Sequence, residues 1–364
     1  MSPTLFNIYM AGLEKELRRG QAGGIVVGRK KIWSITYADD IVLVADREEE
    51  LKEMLKRLEK FLKDSDLELS AEKIAVFERR KNKKRQRKWK WGEQEMEEVD
   101  EIRYLGYTLQ KNGSDEKLIQ ERRKRSTIAI KKTWSLGERI FKQDYKRRMK
   151  MFGALVESVT LFGAEIWGWN MQERLDSIQR KYVKWTLGLD MTTPNYILTE
   201  ECKLTDIKEK ALKRAARYEK KAMKSGKELV KECIRERERN WGDGQEGKRA
   251  RKRKKRLEEV REERIQTETR EEQERMTVED VIEERRRREA EERTRKIRES
   301  KYNRHYREIA KEEMPKYLEG RMKWKERKII ARFRCGNQTR ARERETGKKK
   351  GREDVDYAKG KKKT

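Results

Sequence analysis

The sequence predicts an α+β protein, and three observations support this fold class. Residues 1–110 alternate short helical and strand patterns in the order helix, hairpin, helix, strand, hairpin. Residues 111–200 are the most apolar part and carry apolar side chains at helical spacing, which predicts a helical bundle. Residues 201–364 are highly charged and basic. We therefore expect helices on a small antiparallel sheet, then a helical domain, then a long charged region that is helical or disordered.

The charge balance indicates a polyanionic partner. Of the 364 residues, 98 are Lys or Arg and 68 are Asp or Glu, so the formal net charge is 98 minus 68, or +30. Charged residues make up 46% of the chain. A single uniform globule is not expected, because ordinary domains contain more apolar residues.

The cysteines and the single histidine do not fit a disulfide-rich or zinc-binding fold. Cys202, Cys233 and Cys335 include no closely spaced pair, and His305 is the sole histidine. The sequence also has no apolar run long enough to cross a bilayer and no signal-peptide core. We expect an intracellular protein, nuclear or cytoplasmic.

The first helix and the strands after it follow from residue type and spacing. An amphipathic helix ending at Gly20 is predicted by Leu5, Ile8, Tyr9, Leu13 and Leu17. β-Branched and aromatic residues predict strands at 25–27 and 32–36, and an apolar run predicts a third at 41–45. Tyr37-Ala38-Asp39-Asp40 stands between the last two strands, where a hairpin turn must fall. The sequence thus predicts two carboxylates at the tip of an otherwise buried hairpin.

A second helix and a second hairpin follow. The helix is predicted by a stripe of five apolar residues: Leu51, Met54, Leu55, Leu58 and Leu62. Asp46 and Glu49 are spaced as a capping box in front of it. Short strands are expected at 67–69 and 74–77, and a hairpin centred on Gly106 is expected over 102–109.

Two apolar stripes predict the helices of residues 111–200. The first comprises Leu155, Val159, Phe162, Ile166 and Trp169. The second comprises Leu175, Ile178, Tyr182 and Trp185. We expect the tryptophans of this zone to form core instead of stacking on bases; they are Trp134, Trp167, Trp169 and Trp185.

The region after residue 200 has too few apolar residues for an ordinary core. Residues 248–300 hold 20 cations and 16 acids among 53 residues. Such a segment cannot bury enough surface to offset its chain entropy. It forms either solvated helices held by ion pairs or no stable structure, and we expect long helices that fray.

Asp39 and Asp40 are the candidate catalytic residues. Adjacent carboxylates at a rigid hairpin tip can bind a divalent metal through oxygen ligands. In two-metal phosphoryl transfer such ions activate the attacking hydroxyl and stabilise the leaving pyrophosphate. The alternative is that Asp-Asp is ordinary turn chemistry.

Four motifs occur in a definite order along the chain. They are Ser2-Pro3-Thr4-Leu5-Phe6-Asn7-Ile8-Tyr9, Tyr37-Ala38-Asp39-Asp40, Leu69-Ser70-Ala71-Glu72-Lys73 and Tyr104-Leu105-Gly106. This order resembles a reverse transcriptase palm, and more narrowly the polymerase of non-LTR (LINE-type) retrotransposons. The resemblance covers about residues 1–200 and more faintly 332–342. It implies a partial palm at 1–110 and a thumb-like helical domain at 111–200, followed by the basic region at 201–364.

The resemblance also implies a role for the residues of the first hairpin and for Lys73. Asp39 would be a ligand of the catalytic Mg²⁺ or Mn²⁺ ions, with Asp40 beside it. Tyr37 and Ala38 would lie near the primer terminus. Lys73 would lie near the triphosphate, where a cation could neutralise or protonate the leaving pyrophosphate. The alternative for Lys73 is a surface lysine in a strand turn.

The other two motifs would contact nucleic acid. Ser2 and Pro3 match the end of the motif that contacts template and nucleotide, and Tyr104, Leu105 and Gly106 match the primer grip. The partners implied are an RNA template, a DNA primer, their RNA–DNA duplex and dNTPs. Residues 104–106 alternatively form an ordinary hairpin with glycine at the turn.

One departure from the family bears on activity. The fingers and the strand that carries the first metal-binding aspartate are missing upstream of Ser2, and a two-metal site needs that carboxylate. We therefore expect a truncated RNA-directed DNA polymerase that does not polymerise alone. The alternative is a non-catalytic remnant that binds RNA or RNA–DNA duplex electrostatically.

A basic cluster forms the second functional signal. It has nine cations in twelve residues and no acid: Arg79, Arg80, Lys81, Lys83, Lys84, Arg85, Arg87, Lys88 and Lys90. Together with Trp89 and Trp91, these cations suit a nucleic-acid backbone and its bases. The alternative is a solvated loop whose tryptophans cover the core.

Overall fold

The structure is a computed structural model that contains both helices and small sheets, as the sequence predicts. It describes residues 3–70, 74–77, 89–239, 278–300 and 304–337. Across these ranges, every helix is too short or too polar to cross a membrane.

The described chain divides into two compact units. Unit 1 contains the described residues of Met1–Leu118 and Arg217–Lys254, and unit 2 contains those of Ile119–Ala216 and Lys255–Thr364. These boundaries differ from the three zones expected from composition, because the charged C-terminal region is shared between the units.

Unit 1 begins with two helices and two antiparallel hairpins. The elements are α1 (Pro3–Gly20), β1 (Ile25–Val27), β2 (Lys30–Ile32), β3 (Ser34–Tyr37), β4 (Asp40–Leu43) and α2 (Glu48–Asp64). β1 pairs with β2, and β3 pairs with β4. The two helices pack on each other, and their buried side chains form the core under the β3–β4 hairpin: Met10, Leu13, Leu17, Met54, Leu58 and Leu62.

The apolar stripe predicted for α1 is confirmed at two of its five residues and wrong at the other three. Leu13 and Leu17 are buried, but Leu5, Ile8 and Tyr9 are exposed. The buried face instead continues through Met10, which lies three residues before Leu13 on the same side of the helix.

The predicted stripe of α2 is confirmed, whereas its predicted cap is wrong. Met54, Leu58 and Leu62 are buried. The helix begins at Glu48 after Arg47, which makes no side-chain capping hydrogen bond. Acidic residues throughout the first turn complement the helix dipole in place of the expected capping box at Asp46 and Glu49.

The remaining strands of unit 1 form two small sheets. They are β5 (Ala75–Phe77), β6 (Trp89–Trp91), β7 (Gln94–Val99), β8 (Glu101–Tyr104) and β9 (Tyr107–Gln110). β7 pairs parallel with β5 and antiparallel with β6, and β8 forms a hairpin with β9. Val76, Trp89 and Met96 pack together in this part of the core.

The sheet therefore differs from the sequence prediction in three ways. The expected antiparallel sheet is divided among four separate small sheets, one of which includes a parallel pair. Residues 67–69 form no strand. β6 and β7 were not predicted, because acidic side chains dominate β7 and leave Met96 as its buried residue.

Unit 2 is helical. Its elements are α3 (Glu116–Ile140), α4 (Tyr145–Phe152), a π-helical turn (Gly153–Glu157), α5 (Ser158–Thr160), α6 (Ala164–Trp167), α7 (Asp176–Leu187), α8 (Asn195–Glu201), α9 (Ile207–Met223), α11 (Val278–Glu299), α12 (Arg304–Ile309) and α13 (Trp324–Arg334), with 3₁₀ turns at Gly168–Asn170, Glu173–Leu175 and Lys316–Leu318. α3 begins and α9 ends in unit 1, which also contains α10 (Glu228–Arg239).

One of the two predicted stripes of unit 2 is wrong. Leu155, Phe162 and Ile166 are exposed, whereas Val156 and Trp167 are buried. The sequence pattern assumed one regular helix, but the chain passes through a π-helical turn and a left-handed glycine, Gly163, which rotate the buried face.

The second stripe is confirmed. Ile178 and Tyr182 are buried on α7, and Leu175 is buried in the 3₁₀ turn that precedes it. Trp167 and Trp169 are buried as expected. Trp134 and Trp185 are half-buried and pack edge to face with ring centroids 5.7 Å apart.

The C-terminal segment is attached to unit 2 through a buried carboxylate. Glu201 at the end of α8 accepts hydrogen bonds from the hydroxyls of Tyr306 (3.1 Å) and Tyr317 (2.7 Å). Arg334 also donates from Nη2 to Glu201 Oε2 at 3.0 Å. Residues 304–337 therefore belong to the core of unit 2, although composition alone placed them in a charged region.

The buried Asp176 links the stability of unit 2 to pH. Burial and the nearby Asp206 carboxylate raise the pKa of Asp176 from 3.8 to about 7. One carboxylate oxygen accepts from the Lys208 backbone at 3.0 Å, but the other has no hydrogen-bond partner among the described residues. The folded state therefore holds a proton on Asp176 that the unfolded chain has released between these pKa values.

We expect the free energy of unfolding to fall as pH rises from about 4 to about 7, because proton release from Asp176 favours the unfolded chain there. Asp176→Asn should remove this dependence and stabilise the protein at pH 8 by a few kcal/mol. Urea titrations across this pH range measure it, with the exposed Glu312→Gln as control. An unchanged pH profile in Asp176→Asn would contradict the assignment.

Candidate active site

The Tyr37-Ala38-Asp39-Asp40 motif forms the tightest kind of β-hairpin connection. Tyr37 pairs with Asp40, which leaves Ala38 and Asp39 as the turn. Ala38 has a φ of 51°, in the left-handed region. Two-residue hairpins require positive φ at the first turn position, because their twist then matches that of the strands. The motif therefore fixes its carboxylates at a sharp tip, as predicted.

The β3–β4 hairpin packs against the core formed by α1 and α2. Ile41 and Leu43 on β4 pack against this core together with Trp33. On β3, however, Ile35 is 47% exposed and Tyr37 is 63% exposed. The prediction of an otherwise buried hairpin is thus wrong for β3, and the tip is open.

Both carboxylates of the tip are exposed. Asp39 lies in the turn, and Asp40 begins β4. Adjacent side chains of a strand point to opposite faces of the sheet. Because the turn has only two residues, both carboxylates nevertheless lie at the same end of the hairpin. The oxygen ligands are of the kind that Mg²⁺ and Mn²⁺ prefer.

The β8–β9 hairpin lies close enough to the β3–β4 hairpin to influence it electrostatically. Burial, followed by the charge of Asp40, raises the pKa of Tyr104 above its ordinary value. Asp40 and Tyr104 belong to different hairpins, and about sixty residues of sequence separate them. The structure therefore brings together two of the motifs that the sequence singled out.

The Tyr104-Leu105-Gly106 hairpin is also tightly turned. Tyr104 pairs with Tyr107, so Leu105 and Gly106 form the turn. Both have positive φ, 46° and 76°. This is the type I′ pattern, in which glycine is readily accommodated and leucine is strained. Leu105 is exposed at the tip.

Several predicted site residues lie outside the described residues. These are Ser2, Lys73, and the part of the basic cluster that comprises Arg79, Arg80, Lys81, Lys83, Lys84, Arg85, Arg87 and Lys88. Pro3 begins α1. Lys90 is exposed on β6, whereas Trp89 is buried, which supports the alternative that this tryptophan covers the core.

The carboxylates fit a divalent metal in kind but not in number. Asp39 and Asp40 supply oxygen ligands. Among the described residues, no group of three or more Asp, Glu, His or Cys side chains could hold a metal ion. A two-metal site needs a third carboxylate, so the described residues could supply at most part of such a site.

Sequence comparisons relate the chain to reverse transcriptases. Residues 1–109 match the family of reverse transcriptases (RNA-dependent DNA polymerases). The chain is 31% identical over 123 residues to the "Retrovirus-related Pol polyprotein from type-1 retrotransposable element R2" of Nasonia vitripennis. This similarity covers 31% of the chain and only 12% of that protein. The resemblance to a non-LTR reverse transcriptase is thereby confirmed for the N-terminal segment.

We expect Ala38→Gly to raise the free energy of unfolding by about 1 kcal/mol, because glycine adopts positive φ without a Cβ clash. Ala11→Gly in the exposed face of α1 is the matched control and should lower it by about 1 kcal/mol. Urea unfolding of both variants measures the difference. Destabilisation by Ala38→Gly, as in the control, would contradict the turn geometry.

Proposed function

We propose that the chain serves RNA-directed DNA synthesis. The premise is that residues 1–109 carry reverse transcriptase sequence of the non-LTR retrotransposon kind. The substrates would be dNTPs and the 3′ end of a DNA primer paired with an RNA template. The observation that carries the proposal is the exposed pair Asp39 and Asp40 on a two-residue turn within the matched segment.

Each described site residue suits a part of this reaction. Asp39 and Asp40 would hold Mg²⁺ or Mn²⁺, which supplies positive charge for phosphoryl transfer when bound. Tyr37 is exposed beside the carboxylates, where a primer terminus could contact it. Tyr104, Leu105 and Gly106 form a second tight turn, and Asp40 acts on Tyr104 electrostatically. Two rigid tips near each other could position a primer 3′ end.

The roles of the remaining motif residues rest on the family resemblance. Ser2 and Pro3 would contact template and nucleotide, and Lys73 would neutralise the leaving pyrophosphate. Lys90 and the cations at 79–88 would bind nucleic-acid phosphates. Residues 1–110 would serve as palm, and residues 111–200 as thumb.

A second proposal is favoured by the incomplete carboxylate set. The described residues bring together two carboxylates and no third. Under this proposal the chain by itself binds RNA or RNA–DNA duplex without adding nucleotides. Its net charge of +30 would supply the affinity, which would fall steeply as salt rises.

Primer extension on an RNA template separates the two proposals. Under the first proposal, Asp39→Asn should reduce dNTP incorporation by about a hundredfold or more, because it removes a ligand of the metal that would stabilise the developing charge. Duplex binding should be unchanged. The matched control is Asp46→Asn, an exposed aspartate beyond the end of β4, which should extend like the unmodified chain.

Equal incorporation by Asp39→Asn and the unmodified chain would contradict a catalytic role for Asp39. Duplex binding with no incorporation by any variant would instead support the binding proposal. Absence of both activities would contradict both.

A further inference from the structure

Unit 2 contains a cationic pocket built from two segments that are distant in sequence. Four cations, which we call the corner patch, line an open cavity of about 340 Å³: Arg139, Lys142, Arg147 and Arg321. Arg139 lies at the end of α3, Lys142 in the loop that follows and Arg147 in the first turn of α4, whereas Arg321 precedes α13. Asp144 is the acidic residue of the lining. Four cations against one carboxylate leave a formal charge of +3.

The two segments are held in place by several direct contacts. The Met322 backbone donates to the Gln143 carbonyl at 3.2 Å, and Arg327 Nη2 donates to the same carbonyl at 3.1 Å. Lys146 donates to Glu319 at 3.0 Å. The pocket is therefore a fixed feature of the fold, and the C-terminal segment completes it.

The acidic groups nearby are already engaged. Asp144 accepts from the Arg147 backbone at 2.9 Å and thereby caps α4, and its other carboxylate oxygen lies 3.3 Å from Arg147 Nε. Glu138 lies 3.9 Å from Lys142 but accepts from the buried Arg148 at 2.6 Å. In the described part of the chain, no carboxylate lies within ion-pair distance of Arg139 or Arg321. Positive charge at the pocket is thus undercompensated.

An aromatic side chain adjoins the patch. Lys142 and Lys328 place their ammonium groups 4.5 Å and 4.1 Å from the Trp324 ring centroid. Burial is the largest cause that lowers the pKa of Lys328, and nearby cations including Lys142 lower it further. Cations beside an aromatic ring are the usual composition of surfaces that bind single-stranded nucleic acid.

From this arrangement we infer that the corner patch and Trp324 form a binding site for the backbone of single-stranded nucleic acid. A flexible strand can bend one or two phosphates into a concave pocket, whereas a stiff duplex runs along its rim. Three arginines line the pocket, and guanidinium groups suit the bidentate recognition of phosphate oxygens. The lining of this site belongs to unit 2 and includes neither Asp39 nor Asp40, so its test needs neither metal nor dNTPs.

Fluorescence anisotropy with labelled oligouridine, measured in EDTA over a range of salt, tests the inference on the full chain. The double variant Arg139→Ala/Arg321→Ala should weaken binding about tenfold and reduce the salt slope by between one and two. The matched control, Arg295→Ala/Arg304→Ala, removes two exposed arginines of the same unit and should change binding much less. Single-stranded DNA should behave as RNA does, because the backbone is recognised.

Equal losses in the double variant and its control would overturn the inference, since general charge would then explain binding. A loss seen with duplex but not with single strands would also overturn it. Photocrosslinking of 4-thiouridine RNA to the unmodified chain tests the site without a substitution, so misfolding of a variant cannot affect the result. Crosslinks at 139–147 or 321–328 support the site, and their absence there overturns it.

Discussion

The turn between β3 and β4 is the constraint on which the candidate site depends. Because Tyr37 pairs directly with Asp40, the chain must reverse within two residues, and Ala38 adopts positive φ to allow this. A longer connection would separate the carboxylates and let them move independently. The strain at Ala38 is offset by the core below, where α1 and α2 pack against β4.

Unit 2 shows how a chain with so many charged residues can still form a core. Arg148 is buried, pairs with Glu138, and lies over the Trp134 ring at 4.5 Å. Lys184 is also buried and donates to the carbonyls of Met191 and Thr193 at 2.9 and 2.7 Å. Arg148 and Lys184 each have at least one such partner, which lowers the free-energy cost of burying their charges. The same requirement ties the C-terminal segment to the unit.

The sequence predicts elements best where a regular pattern coincides with a buried face. The stripe of α2 was predicted for this reason, whereas the tight turn at Ala38 was predicted because a turn must fall between two strand-like runs. Patterns fail where packing is irregular: a π-helical turn displaces the stripe that begins at Leu155, and a single buried residue, Met96, marks β7. The proximity of Tyr104 to Asp40 had no local signal, because it depends on how two distant hairpins pack.

We propose that Asp39 and Asp40 bind a divalent cation at the tip of this hairpin, beside Tyr104. Paramagnetic broadening of backbone amide resonances by Mn²⁺ tests it directly, without relying on catalysis. We expect the strongest broadening at residues 37–40 and 103–106, and we expect Asp39→Asn to abolish it. Broadening centred on other carboxylates, or unchanged in that variant, would contradict it.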